Sequence, residues 1–423
     1  MKKLHYELPK QSVKKDYLFN IFGSTTNAAV SVILLVVVSH TVGEAQAGIF
    51  SLCFTTAQMM YTLATFEMRN IQVTDVKNEF SFSDFIAFRV LTILLMLISS
   101  VIFVFINGFQ GTKATLTLLL CLYMAMLSIS DVLQGNMHRN NYLSLAGISL
   151  GCTSLLAAVS FTIFLATTQS LICSVIPMAI VVALWIMLYD IPFSGNFSEI
   201  RPCFRLINLK RLFFETLPLF ISVFITQFAF NAPKYAINDY LTEVDQSHYG
   251  FLVMPAFFIN LLSLFVFRPQ LVSLSEKWAN KDYTGFGKTV KWLYIWIFIF
   301  AIVTMAVGFV IGVPVLNLLY NTSLNAYRNL FMILLLSGGF GAGSTLSVTM
   351  LAVIRKQKNS VIAYVVTAVL AMFIPNILVR RFGFAGAVYA YFVEMLLLFS
   401  LLFLIFIVCY RKGKLSSLRS KKQ

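Results

Sequence analysis

Two arginines and an aspartate, set beside apolar runs, are the first residues whose types and spacing suggest chemistry. Arg69 and Asp75 fall within the stretch from Phe66 to Asp75, and Arg89 follows near the start of an apolar run. A guanidinium is permanently charged, and its forked donors match phosphate or carboxylate oxygens. The pattern therefore suits an anion-binding site, or an ion-pair network in which Asp84 or Asp131 holds Arg89. Asp131 sits with Ser128 and Gln134 near the end of another apolar run, where a structural partner for Arg89 outweighs proton coupling. Asn20, Asn27 and Ser31 are spaced seven and four apart, so they share a helical face. Such a face is either a packing seam or the wall of a wet cavity. Gly23, Ser24 and Ser31 suit packing, while the asparagines and Glu215 want more polar surroundings. A carboxylate inside a span is costly unless paired, protonated or hydrated, and Arg211 stands one turn from Glu215. Lys234 closes a further run, followed by Asp239, Glu243 and Asp245, as a charged gate or a solvated loop. Glu394 lies within the last run and calls for a partner helix or a functional role. His40 is a lone interfacial histidine.

Several chemistries lack their residues. The chain has no phosphate-binding GxxxxGK[ST] loop, no HExxH, no GxSxG and no CxxC spacing. Cys53, Cys121, Cys152, Cys173, Cys203 and Cys409 are scattered, mostly within apolar runs, and read as packing residues. No metal site and no cofactor are expected beyond a coupling ion, H+ or Na+. The formal net charge is +15, but the charges sit between and beyond the apolar runs, so membrane topology accounts for them and nucleic acid is not implied.

Those residues must be positioned by membrane helices. Of 423 residues, 59% are hydrophobic and 12% charged, with a mean hydropathy of +0.83. A soluble chain carries roughly twice that charged fraction. The apolar runs are roughly 20 residues long, enough to cross ~30 Å of hydrocarbon as a helix. Lipid cannot satisfy exposed backbone groups, so helices are required. The strands of a closed barrel would alternate in polarity instead.

Twelve spans are predicted. They are Tyr17 to Ser39, Gly48 to Phe66, Phe85 to Ile106, Ala114 to Leu133, Tyr142 to Leu165, Ser170 to Tyr189, Leu212 to Pro233, Tyr249 to Phe267, Trp292 to Gly312, Asn329 to Val353, Ser360 to Val379 and Gly386 to Cys409. The first is too long for a signal segment. Lys and Arg collect on alternate connections: the N-terminus, the stretches around Arg69, Arg139 and Arg201 to Arg211, Arg268 to Lys291, Arg355 to Lys358, and the tail. That bias places both termini in the cytoplasm. The chain then divides into an N-lobe (1–189), a cytoplasmic linker (190–211), a C-lobe (212–409) and a basic tail (410–423). The lobes echo one another, with Asn20, Asn27 and Ser31 opposite Glu215, Ser222 and Thr226, as transporter repeats do.

The motifs also resemble a family. Asn20 and Asn27 in the first span, the Arg69 to Asp75 stretch followed by Phe80, Phe82, Phe85 and Arg89, the Ser130-Asp131-Val132 segment with Gly135, and the Phe382 to Ala390 junction with Glu394 are similar in order and spacing to the Wzx-like polysaccharide flippases. These are the polysaccharide transporters of the MOP exporter superfamily, and the resemblance runs the whole length. It implies an all-α membrane fold of two six-helix lobes around a central cavity, working by alternating access. It also implies undecaprenyl-pyrophosphate-linked oligosaccharides as substrate, carried from the inner to the outer leaflet of the bacterial cytoplasmic membrane for capsule or O-antigen synthesis. Membrane lipids surround the chain, and the expected partners are a polysaccharide polymerase and glycosyltransferases. Arg89 and Arg69 would serve a cationic site for pyrophosphate. Few cations lie deep in the spans, so the anion is expected nearer the cytoplasmic face. A drug or cation antiporter of the same superfamily is the nearest rival, and would use acids such as Asp131 and Glu215. A membrane-embedded polymerase or glycosyltransferase would need a large outer loop with catalytic residues, and the outer loops here are short. A non-transporting scaffold is a further alternative.

Overall fold

The structure is a computed structural model that describes residues 8, 12–75, 78–267 and 270–420; the side chains of 260–262, 264–266, 272 and 415–420 lie outside the description. It is all helical among those residues. The first contact unit, residues 1–224, holds α1 (Val13–Val42), α2 (Glu44–Thr65), α3 (Met68–Thr74), α4 (Phe82–Ile106), α5 (Gly111–Arg139), α6 (Leu143–Thr168), α7 (Leu171–Trp185) and α8 (Ile191–Gly195). The second, residues 225–423, holds α10 (Glu243–Phe267), α11 (Leu271–Ala279), α12 (Tyr283–Val307), α13 (Val313–Tyr320), α14 (Arg328–Val353), α15 (Ser360–Ala371), α16 (Ile374–Phe382) and α17 (Phe384–Ser420). The intervening α9 (Leu206–Tyr240) contributes to both.

Ten helical stretches among the described residues are long and apolar enough to cross a bilayer. The bent pair α2 and α3 makes an eleventh. The 25-residue α10 lies where the eighth span is predicted. Helix ends extend past the predicted apolar runs. The stretch that holds the predicted ninth span runs from Tyr283 to Tyr320, passing through a π turn at Gly308–Gly312. Residues 190–195 continue the sixth span through a second π turn, Ile186–Asp190, into α8. Pro192 stands in α8 directly after this π turn. Only 196–205 of the predicted linker is non-helical. The division into units falls inside α9 because its first turns belong to the first unit. Phe220 and Phe213 stack on Phe66 at 4.1 and 5.5 Å, and Asn208 bonds to Asp84.

In the first unit α1 packs along α6, and glycine makes that contact possible. A Cβ on Gly147 would lie 2.4 Å from the Phe19 carbonyl oxygen, and one on Gly23 would lie 2.4 Å from the Gly147 carbonyl oxygen. Gly151, one turn on, faces the Phe22 ring. This is a small-residue seam of the kind that brings membrane helices together without a hydrophobic driving force. Gly147→Val is therefore expected to force α1 off α6 and cost about 1–3 kcal/mol by overpacking. The melting temperature of the solubilised protein checks this; an unchanged midpoint would show the seam is dispensable. In the second unit α14 is the hub, again through glycine. Gly338 abuts the Ala256 carbonyl of α10, Gly339 meets Ala301 of α12, and Gly343 meets the Phe399 ring of α17.

Candidate functional site

The break between α2 and α3 builds the site. Phe66 and Glu67 both adopt left-handed backbone (φ 47° and 52°), a conformation unusual for side chains of this kind. The Phe66 ring, buried between Phe88, Phe213 and Phe220, holds the bend. Because α2 stops here, the Ala64 carbonyl has lost its helical donor. Arg89 Nη1 donates to it at 2.6 Å and Thr92 Oγ1 at 2.7 Å. Arg89 itself is placed two turns into α4, whose start is fixed by reciprocal bonds between Ser81 and Asp84. The chain restarts as α3 at Met68, which sets Arg69 one residue in. Gln72 then seats α3 against α5, donating to the Val132 carbonyl at 3.0 Å over the bare Gly135.

Both guanidiniums converge on Asp131. Arg69 Nη1 reaches Oδ1 and Arg89 Nη2 reaches Oδ2, each at 2.8 Å. Of the two partners predicted for Arg89, Asp131 holds it, and Asp84 caps its own helix instead. The Arg89 side chain is 2% exposed and Asp131 12%, whereas Arg69 is 30% exposed. Arg69 and Asp131 line a cavity of about 140 Å³ together with Asn27, Ser31, Gln58, Tyr61 and Tyr123. Arg89 stands behind this wall and positions Asp131. Asn27 is bridged to Ser154 on α6, so the polar face of α1 is partly cavity wall at Asn27 and Ser31, and partly packing seam at Gly23.

A second layer escapes sequence reading. Arg69 Nη1 also donates to Gln134 Oε1 at 3.3 Å. The Gln134 amide donates to Ser130 Oγ and Ser149 Oγ at 2.9 and 3.1 Å. Each serine hydroxyl then donates to one oxygen of Asp190 at 2.5 Å. Every hydrogen bond in this chain points from the guanidinium toward the buried Asp190 carboxylate. Asp190 reads in sequence as the charge that ends a span. The π turn that carries the helix past it turns the carboxylate inward, and π turns recur at functional positions. A residue just after an apolar run and just before a helix-compatible proline is the only sequence signal for it.

The remaining candidates are dispersed. Asp75 accepts from Arg139 Nη2 at 2.9 Å and from the backbone of Glu79 and Phe80, ordering the turn before α4. Asn20 is exposed on α1 and does not line the cavity. Glu215 is exposed and paired with Arg211, which also reaches Glu79. Lys234 is buried in α9 within the second unit. Glu394 is buried in α17, with no hydrogen-bond partner for either carboxylate oxygen; Tyr249 and Tyr391 lie within its electrostatic reach. Among the described residues no three His, Cys, Asp or Glu side chains group as metal ligands.

No protein-family model matches the chain, and no curated protein matches it. Solved structures do. The chain is similar to a multidrug-resistance MATE family transporter of the MOP superfamily in an inward-facing conformation, with a TM-score of 0.67, 13% identity, and 96% of this chain and 99% of that one covered. It is also similar to the Vibrio cholerae MATE transporter VcmN in its bent form, with a TM-score of 0.58, 14% identity, and 95% and 98% covered. A MOP superfamily transporter from Pyrococcus furiosus, described as having a binding pocket of reverse polarity that suggests a different function, aligns with a TM-score of 0.56, 12% identity, and 95% and 94% covered. The fold is that of the MATE and MOP transporters.

Proposed function

We propose that this chain is a flippase that moves undecaprenyl-pyrophosphate-linked oligosaccharide repeat units from the inner to the outer leaflet of the bacterial cytoplasmic membrane. Transport by alternating access, without covalent chemistry, is what the MOP transporter fold supports. Neighbours of that fold have been solved facing inward and outward, and two such states of similar energy are all that translocation requires. One observation carries the choice of substrate. Asp131 is the only carboxylate among the described residues that line this small cavity, and two guanidiniums already neutralise it. A site for cationic drugs needs an acid to spare; this one sets two guanidiniums against one acid, and the half-buried Arg69 is the one that lines the cavity. The cavity takes a phosphate-sized group. An apolar groove of about 590 Å³ between α12 and α17, with Lys291 and Arg411 in its lining, suits an amphiphile with an anionic head. H+ or Na+ coupling, a polymerase and glycosyltransferases as partners, and cytoplasmic termini belong to the same proposal.

The MATE-like drug or cation antiporter is favoured by one observation, the buried and unpartnered carboxylate of Glu394. Deletion of the gene followed by leaflet-resolved labelling of lipid-linked oligosaccharide separates the two. Accumulation on the inner leaflet is expected. An unchanged leaflet distribution with lost drug resistance would replace the flippase with the antiporter.

A further inference from the structure

The groove between α12 and α17 lies wholly within the second unit. Its lining is bridged by a ladder of rings, Tyr294 against Phe403 at 5.1 Å and Phe298 against Phe399 at 5.6 Å. Both helices pack on α14, where Ser347 shares a 2.8 Å hydrogen bond with the Tyr294 hydroxyl. Beside the lining, Trp296 and Val303 on α12 and Leu404 and Val408 on α17 are exposed and apolar. In a membrane-spanning chain such a face meets hydrocarbon, so the groove is filled by a lipid chain and not by water.

One end of the groove suits a charged head. A Cβ on Gly287 would lie 2.6 Å from the Tyr410 hydroxyl oxygen, so the start of α12 and the end of α17 meet there. That hydroxyl donates to the Tyr283 carbonyl at 2.7 Å, and the Trp278 ring stands 5.0 Å from the Tyr283 ring. Tyrosine and tryptophan rings settle at the headgroup level of a bilayer. Lys291, one turn along from Gly287, and Arg411, next to Tyr410, both line the groove at this end. Both are exposed, and neither has an ion-pair partner among the described residues. No carboxylate stands among the described lining residues. Asp282, whose charge reaches Tyr410, caps α12 by accepting from the Gly285 N–H. Two cations without an acid match a phosphate and offer nothing to the ammonium of a zwitterionic head. Depth then separates the amphiphiles that carry an anionic head. From Lys291 to Ile302 α12 rises about 16 Å, and from Phe399 to Arg411 α17 rises about 18 Å, at ~1.5 Å per residue. One leaflet of hydrocarbon is about 15 Å deep. An acyl chain fills that length, whereas an undecaprenyl chain is far longer and would run out of it.

We propose that this groove is a binding site for an anionic phospholipid of the bilayer itself, its phosphate held between Lys291 and Arg411 and one acyl chain laid along the ring ladder. The bound lipid ties α12 to α17 from the membrane side. The site does not depend on which substrate the chain transports. The test uses the purified full chain in neutral detergent, titrated with phosphatidylglycerol, phosphatidylcholine or undecaprenyl phosphate. Bound lipid is counted by native mass spectrometry, and the melting midpoint is followed in parallel. Phosphatidylglycerol is expected to bind about tenfold or more tightly than phosphatidylcholine, and to raise the midpoint saturably as a ligand of the folded state does. Lys291→Gln with Arg411→Gln, on exposed side chains, should remove that preference while melting like the unaltered protein in phosphatidylcholine. Lys412→Gln with Lys414→Gln, outside the lining, should leave the preference intact. Ile299→Trp keeps both cations but fills the groove from an exposed position, and should lower phosphatidylglycerol binding about tenfold. Equal binding of the two phospholipids would overturn the proposal. So would an equal loss from the tail substitutions, which would reduce the effect to diffuse surface charge. Displacement of phosphatidylglycerol by undecaprenyl phosphate at equal concentration would also overturn it, by giving the groove to the proposed substrate. Leaflet labelling in the deletion strain tests the flippase reading separately, and its failure would leave this site standing.

Discussion

Asp131→Ala is expected to destabilise the first unit by about 3–5 kcal/mol, because it leaves the buried Arg89 guanidinium without its counter-charge. Arg89 is 2% exposed and has two polar partners, the Asp131 carboxylate and the Ala64 carbonyl. Its Nε already lacks an acceptor, so no spare contact absorbs the loss. Arg69 would lose the same partner but can turn toward water in the cavity. Thermal unfolding of the solubilised variant and the amount inserted in membranes measure the effect. A double substitution, Arg89→Met with Asp131→Leu, removes both charges together and should recover most of the stability, since a buried pair replaced by apolar groups is often neutral. If Asp131→Ala melts with the unaltered protein, the pair contributes nothing to the fold and its role is confined to transport.

Arg69→Ala is expected to have the opposite signature, full insertion with loss of export. Its side chain is the more exposed of the two on Asp131, and removing it leaves the Arg89–Asp131 bond in place. On the proposed flippase reading, what disappears is a charge-assisted contact with the substrate's phosphate, worth about 1.5–3 kcal/mol, or roughly 10–150-fold in affinity. Arg69→Lys keeps the charge but not the fork, and should recover only part of the export. Inner-leaflet accumulation of lipid-linked oligosaccharide is the readout. Normal export by Arg69→Ala would remove the Asp131 cavity from the transport path.

The membrane helices were legible because their cause is local. Each segment must bury about 20 residues in hydrocarbon and satisfy its own backbone, so the apolar runs announce themselves one at a time. Their ends were less legible. Asp190 shows why: a charge after an apolar run looks like an exit from the membrane, yet a π turn and two serines from other helices keep it inside. The bend at Phe66 and Glu67 has no glycine or proline to mark it, since stacking with Phe213 and Phe220, far along the chain, stabilises it. Periodicity put Asn20 and Asn27 on one face, and that is where they are. It could not tell that Asn20 lies level with the glycine seam while Asn27 reaches the cavity.

Composition, run length and charge bias thus determined, unaided, that this protein is a membrane-embedded helical chain with arginines at the edge of its third span. Only the tertiary structure decided which carboxylate those arginines share and which polar residues face a cavity. Hydrophobic partition acts on each segment alone and so is written in consecutive residues. Hydrogen bonds between positions sixty or more apart depend on how closely glycine-bearing helices approach, a distance that no single segment contains.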